Sequence, residues 1–537
     1  MIHGGQIIAR ALASEGVDTV FSLTGGHIVP ILDGCAAEGI RIVDVRHEQT
    51  AAHAAEAYTR LTGKLGVAVV TAGPGVTDAV TGVANAWYAA TPMLLLSGRH
   101  LVRQELMGGL QEMDHPALLR SITAWAGTGW ETDRLAETVS VAVRHAFAGR
   151  GAPVFLDVPL DVLAGTVEET AVTYPSRYRH QTPSGADSST VDRIGGILMA
   201  AQRPIVFAGA ELHGEGAALG ALVEALAAPT YLNSRARGAL PYGHPLLGNR
   251  ARSQAFAAAD VVLALGVDWD FRTGYGRKIA DDATVVHIDA DATKIGWNRP
   301  VDVGVVADPA RVVAQLAAAC RGASAASEWA LQVAGWEAEK QQAADDAVVD
   351  GGPVMPERFA HDVAAFFGTD SIISVDGGDI VSTTARWLRI STAGHVLDPG
   401  PFGTLGTGPG FAIAAQVAFP DKLVGIIYGD GAFGFNGLEY DTMIRHRLPI
   451  VGVVGNDGVW SNVKTFHKLF YPEHVMATDL GVQRYDRIVE GLGGHGEFVT
   501  TAEDLTAALE RSRASGTASL VNVHIAETVR MSSTYTS

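Results

Sequence analysis

Short apolar runs recur along the chain, separated by Ala-rich stretches of helical length. Residues 67–71, 93–97, 204–208, 261–265, 285–288, 372–375, 423–428 and 450–454 are continuous runs rather than alternating ones. A strand with one wet face alternates apolar and polar side chains, whereas a continuous run fits a strand covered on both faces. Such strands, alternating with helices, predict α/β architecture built from doubly wound parallel sheets.

Two stretches break the rhythm. Residues 174–190 carry Pro175, Arg177, Arg179, Pro183, Ser184 and Ser188 with no apolar period, and 336–356 is charged and Gln-rich, ending in Gly351-Gly352-Pro353. Read as linkers, they predict domains at 1–172, 190–335 and 354–537. With 47% hydrophobic and 18% charged residues among 537, the chain can fill three cores and is too apolar for global disorder. A net charge of −18 counts against nucleic acid or an anionic membrane as partner, since both need a basic surface. The apolar run at 92–97 is far too short to span a bilayer. The two cysteines, Cys35 and Cys320, make neither a disulfide framework nor a cysteine metal site, which fits a reducing compartment. With no signal-peptide pattern in Met1-Ile2-His3-Gly4-Gly5, the expectation is a cytoplasmic chain.

The strongest chemical signal is in the last third. An apolar strand runs into Gly429-Asp430-Gly431-Ala432-Phe433, and the next runs into Gly455-Asn456-Asp457-Gly458. That places a carboxylate and an amide at the carboxyl ends of two strands, the edge where open α/β sheets bind ligands. Glycines beside Asp430 let backbone amides approach a phosphate at a helix start. Carboxylate, amide and carbonyl oxygens together suit Mg²⁺. Gly-Asp-Gly alone is an ordinary turn; its coupling to the second half makes it informative. In the first third, Arg46-His47-Glu48 follows an apolar run and precedes the small-residue face Ala51-Ala52-His53-Ala54-Ala55, and Thr71-Ala72-Gly73-Pro74-Gly75 comes later. A glutamate there faces burial rather than the solvent that a first-turn charge usually meets.

Taken together, these motifs resemble the thiamine-diphosphate enzymes of the acetolactate synthase and 2-hydroxyacyl-CoA lyase group over essentially the whole chain. The departure from the usual pair of asparagines, Gly455 and Asp457 flanking Asn456, leaves Asp430, Asn456 and the Gly458 carbonyl as the implied metal ligands. The resemblance implies thiamine diphosphate and Mg²⁺ as cofactors, with Gly403, Thr404, Leu405, Asp379, Asp430, Gly431, Ala432, Asn456 and Gly458 as the binding set. Glu48 matches the glutamate that hydrogen-bonds N1′ of the aminopyrimidine, a task for a carboxyl group in a poorly solvated site. Leu405 matches the side chain that bends the cofactor, and the Gly403 carbonyl the acceptor for its 4′-amino group. Gln111 matches an active-site glutamine. The cofactor is expected between two subunits of a homodimer or homotetramer.

Within the group, 397–406 and Arg445-His446 look most like 2-hydroxyacyl-CoA lyases, which split acyl-CoA substrates into formyl-CoA and a carbonyl compound. Such cleavage needs a proton acceptor at the 2-hydroxyl, and Glu497, His47 and Gln111 are the candidates. Acetolactate synthase and oxalyl-CoA decarboxylase are the alternatives; Val459-Trp460-Ser461-Asn462 stands where the synthases carry Gly-Met-Val and then Gln-Trp. In relatives the central domain binds ADP or, in the synthases, FAD. Gly209, Arg235, Arg272 and Asp289 are the residues suited to a nucleotide. The polar tail 528–537 is expected to act as a lid, as in acyl-CoA relatives.

Overall fold

The computed structural model describes residues 1–179, 184–212, 216–322 and 327–528. Three six-stranded sheets follow one another along the chain, and every strand pair within them is parallel. The first holds β1 (Thr19–Ser22), β2 (Arg41–Asp44), β3 (Gly66–Val70), β4 (Met93–Arg99), β5 (Trp125–Thr128) and β6 (Pro153–Pro159), in the order β2-β1-β3-β4-β6-β5. The central sheet holds β7 (Pro204–Ala208), β8 (Thr230–Leu232), β9 (Leu247–Gly248), β10 (Val261–Leu265), β11 (Thr284–Asp289) and β12 (Val303–Val306). Its order, β9-β8-β7-β10-β11-β12, is that of dinucleotide-binding sheets. The third holds β13 (Ile372–Asp376), β14 (Val396–Leu397), β15 (Val424–Gly429), β16 (Val451–Asn456), β17 (His495–Val499) and β18 (Ser519–His524). It repeats the first order as β14-β13-β15-β16-β18-β17.

The doubly wound α/β expectation is therefore what the chain forms. All eight apolar runs are strands, and their side chains are buried along nearly their full length because helices cover both faces. The stretch at 336–356, expected as a linker, is helical as far as Asp345. The Ser327–Asp345 helix continues through Trp336 because Glu, Ala, Lys and Gln are strong helix formers. Trp336 also packs edge-on against Trp329, whose indole donates to the Pro204 carbonyl. The segment at 174–179 is irregular but tied down: Tyr178 and Arg179 both bond Glu15, and Arg179 lies over Phe147. Ser188 opens a helix capped by Asp187.

Two almost wholly buried helices join the first and third domains. The Glu48–Thr62 helix is capped by the His47 ring and stops at Gly63, in the left-handed region at φ 70°. The Thr407–Ala418 helix lies against it, and Gly410 makes the approach close: a Cβ there would sit 2.8 Å from His53 Cβ. Their alanines and Phe411 form one continuous core with both sheets. Among the described residues no helix is long and apolar enough to cross a membrane. Cys35 and Cys320 are free and buried.

Candidate active site

At the carboxyl edge of the first sheet, the turns after β1 and β3 meet the start of the Glu48–Thr62 helix. Glu48 is buried, and burial together with the Asp78 charge raises its pKa above the ordinary carboxyl value. Its Oε1 would lie 3.3 Å from a Cβ added to Gly75, so the Thr71–Gly75 turn and Glu48 face one another. That turn is anchored from behind. The Gly73 N–H donates to His115 Nε2 at 2.9 Å, which leaves His115 Nδ1 to donate to Asp157 at 3.0 Å. Gln111 closes over the front, with Thr71 Oγ1 donating to its Oε1 at 3.4 Å. It holds φ 60°, a left-handed conformation that a non-glycine residue adopts only when its surroundings enforce it.

The third sheet builds the second half at the matching edge. Asp430 follows β15 and Asn456 ends β16, and the two strands are neighbours, Gly429 beside Gly455. Asp430 accepts from the N–H groups of Gly431 and Gly458, each at 2.8 Å. Burial and the neighbouring Asp457 carboxylate push its pKa up to about 7. Asn456 donates through Nδ2 to Gln483 O and Asn522 Oδ1 at 2.9 and 3.0 Å. Its Oδ1, fully buried, is left without a partner. An unpartnered amide oxygen fixed beside paired carboxylates is an oxygen donor set that a hard divalent cation completes. Gly458 enters differently from expectation. Its carbonyl accepts from Leu480 and Gly481 at 2.7 and 2.8 Å, so both lone pairs are engaged, and it is its N–H that reaches Asp430. Gly431 and Ala432 form the first turn of the Asp430–Asn436 helix, with the Trp460 ring laid over Gly431. Asp379 starts the short Asp379–Thr384 helix at the same edge, after β13.

The Leu405 loop is set by a residue that sequence reasoning missed. Asp376, wholly buried at the end of β13, accepts from Gly406 at 3.1 Å and Gly408 at 2.8 Å. Burial pushes its pKa up to about 7. Gly403, exposed at φ 66°, and Thr404, whose hydroxyl donates to Leu405 O, complete the turn. Gln49, next to Glu48, donates to that same Leu405 carbonyl at 3.2 Å. From the far end of the same helix, Arg60 donates to Asp398 O at 2.8 Å. One helix thus grips the 398–405 segment at both ends.

Where the three domains meet is a cleft lined among others by Arg60, Arg150, Arg235, Arg272, Asp398 and Pro401. Arg235 is buried and bonds Ala210 O; burial and the charges of Arg60 and Arg150 bring its pKa down to about 10. Arg272 reaches the cleft but is held by both oxygens of Asp270. Asp289 ends β11 behind Arg150, which also pairs with Glu211 and Asp268. Burial beside Glu211 raises the Asp289 pKa. Gly209 lies against Gly266, whose carbonyl a Cβ would meet at 2.1 Å. The structure therefore gathers Arg235 and Arg272 at the cleft, adds Arg60 and Arg150, and sets Gly209 and Asp289 into the packing behind.

Two expected proton acceptors lie elsewhere or are committed. Glu497 sits in the middle of edge strand β17, clamped by Arg511 at 2.8 and 2.9 Å and by His495 at 3.1 Å. The Gly-rich run before it suggested a turn, but that run feeds a strand two places away from Asn456. His47 spends its Nδ1 on the Gln49 N–H as a helix cap. Besides Asp376, the sequence reading missed His27, His115 and Arg150. The Thr19–Ser22 strand leads within a few residues into Gly25-Gly26-His27, a glycine-rich strand end like the one at Gly429-Asp430-Gly431, and that is the signal that finds His27. The expected lid at 528–537 lies outside the described residues from 529 onward.

Comparison with known proteins puts both of these half-sites inside thiamine pyrophosphate binding domains. Residues 2–118 match the description "Thiamine pyrophosphate enzyme, N-terminal TPP binding domain", 191–316 the central domain and 376–523 the C-terminal TPP binding domain. The chain belongs to the thiamine pyrophosphate enzyme family. It is 38% identical over 530 residues to an acetolactate synthase large subunit of Mycobacterium tuberculosis, covering 97% of this chain and 95% of that one. It is also 33% identical to 2-hydroxyacyl-CoA lyase 2 of Caenorhabditis elegans, over 98% of this chain and 90% of the relative. The human 2-hydroxyacyl-CoA lyase 2 is 33% identical over 92% of this chain and 84% of its own.

Proposed function

We propose that this chain is a lyase that cleaves, and in reverse forms, 2-hydroxyacyl-CoA, releasing formyl-CoA and an aldehyde or ketone. The observation that carries this reading is the 398–405 segment. Its first half lines the arginine-rich cleft and its second half reaches Gln49 beside Glu48. A substrate with an anionic handle and a distant reactive carbonyl, as in a CoA thioester, fits a path that begins among guanidinium groups and ends at a buried carboxyl. Thiamine diphosphate, when bound, supplies the electron sink that lets the C1–C2 bond break.

The chain's own residues then divide the work. Asp430 and Asn456 would hold Mg²⁺, and the first turn at Gly431 and Ala432 would offer its N–H groups to the diphosphate. Glu48, kept from water, shares a proton with the pyrimidine ring rather than surrendering it. Leu405, fixed through Asp376, supplies the bulk that shapes the cofactor. Arg60 and Arg235 offer charge to the phosphates of the CoA nucleotide. The pyrimidine half of one subunit faces the diphosphate half of another, in a homodimer or homotetramer that works in the cytoplasm.

Acetolactate synthase is the second reading, favoured by the 38% identity over nearly all of both chains; the cleft would then take FAD. Mass-spectrometric product analysis separates them. With thiamine diphosphate and Mg²⁺, 2-hydroxyacyl-CoA esters should give formyl-CoA and the matching carbonyl compound. Acetolactate from pyruvate, with the esters untouched, would overturn the lyase reading.

A further inference from the structure

We infer that His27 is the proton-transfer residue for the substrate's 2-hydroxyl, an inference that rests on the lyase reading. The cleavage needs a base at that hydroxyl, and the structure disposes of the other candidates. Glu497 is bound to Arg511 on an edge strand, His47 is a helix cap through Nδ1, and an amide such as Gln111 is not a base at neutral pH. His27 lies in the short turn after β1, at the edge that carries Thr71, Glu48 and Gln111. Its Nδ1 is 3.4 Å from Thr71 Oγ1, and its ring also engages the Gln111 side chain.

The seat is built for a side chain at that place. A Cβ on Gly98 would lie 2.3 Å from His27 O and 2.4 Å from His27 Cβ, and one on Gly25 would lie 2.5 Å from Thr71 Cβ. Bare backbone at both positions is what allows the turn to close onto Thr71. The left-handed Gln111 is the other wall. Thr71 therefore has Gly75 and Glu48 on one side and His27 with Gln111 on the other. Burial, the His100 ring and the His115 ring lower the His27 pKa, while the Gln111 contact works against them. The ring is then neutral, and a proton acceptor, at neutral pH.

The hydroxyl O–H bond breaks and its proton passes to the imidazole. The freed electron pair becomes the second C–O bond of the departing aldehyde or ketone. The C1–C2 bond breaks with its pair on C1, and the imidazolium returns the proton to C1, completing the formyl group of formyl-CoA. Nothing is oxidised, and no co-reactant is consumed.

The test is kinetic, on the holoenzyme, with His27→Gln and His27→Ala. Expected is a loss of kcat of about 100-fold or more on 2-hydroxyacyl-CoA. KM, thiamine diphosphate affinity by calorimetry and Tm should stay close to wild type. A purely structural His27 would move KM, cofactor affinity or Tm instead, and that pattern overturns the inference, as does a kcat within about threefold of wild type for both variants. Pyruvate is run in parallel. Turnover of pyruvate alone by the wild type defeats the lyase reading and the assigned step together, whereas a thioester-cleaving wild type with active His27 variants defeats only the assignment.

Discussion

Gly431→Ala isolates the geometry of the diphosphate half-site. A Cβ at this position would lie 2.2, 2.5 and 2.7 Å from three carbons of the Trp460 ring. Carbon pairs are most stable at about 3.5–4.0 Å, so the overlap exceeds 1 Å. A ring of that size, under the chain that leads on from Asn456, does not yield by rotating a flexible tip. Either Trp460 or the first turn after Asp430 must shift. Overpacking of this kind costs about 1–3 kcal/mol, partly offset by about 1 kcal/mol of helix propensity gained over glycine. The functional cost is larger, because a displacement of about 1 Å at a positioned site costs on the order of 100-fold in rate. Gly434 is the control within the same helix: it is exposed, has helical φ, and a Cβ there meets nothing within 4 Å. Calorimetric titration with thiamine diphosphate at fixed Mg²⁺, paired with thermal unfolding, should show Gly431→Ala weakened at least tenfold and Gly434→Ala unchanged in affinity with equal or higher Tm. Equal affinity in both variants would refute the packing argument.

Asp376 gives the pH dependence. Its carboxyl sits at about 7 in the fold against an ordinary 3.8, so the proton is held more tightly in the native state. Its contribution to stability is whole below about pH 4 and is lost as pH rises through about 7, on the order of 2 kcal/mol of it between about pH 5.5 and 8. Denaturant unfolding of the apo protein should therefore show a fall over that window that is shallower in Asp376→Asn; parallel curves would contradict it. The same variant keeps one acceptor for two N–H groups, so substrate turnover with thiamine diphosphate bound should drop while the protein stays folded. Glu497→Gln, at an Arg511 pair on the edge strand, should leave turnover within about twofold and cost no more than about 1 kcal/mol, as exposed ion pairs do. A severe loss of turnover would return Glu497 to the reaction.

The chemistry that the sequence shows is the chemistry lying where a periodic element ends. Asp430 and Asn456 terminate continuous apolar strands, and Glu48 opens a small-residue helix, so each has a local pattern that marks its place. Asp376 and His115 have none. Asp376 matters because Gly406 and Gly408, some thirty positions away, turn their N–H groups toward it. His115 matters through Gly73, and that pairing is written only in the sheet. Glu497 shows the converse: the glycines before it read as a functional turn, while the strand pairing that carries it to an edge is non-local. The helix through Trp336 was hidden by the same polar residues that favour helices at a surface. Asp457, noted in the sequence only as the residue after Asn456, is a second carboxylate whose charge acts on Asp430.

Glu48 is the buried carboxyl proposed to act on the cofactor's pyrimidine. The most direct measurement is hydrogen–deuterium exchange at C2 of thiamine diphosphate bound, with Mg²⁺, to wild type and to Glu48→Gln, with occupancy fixed by calorimetry. Wild type should exchange far faster than free thiamine diphosphate, and Glu48→Gln should lose at least about 100-fold of that acceleration at full occupancy. Equal exchange in the two proteins would contradict the central claim.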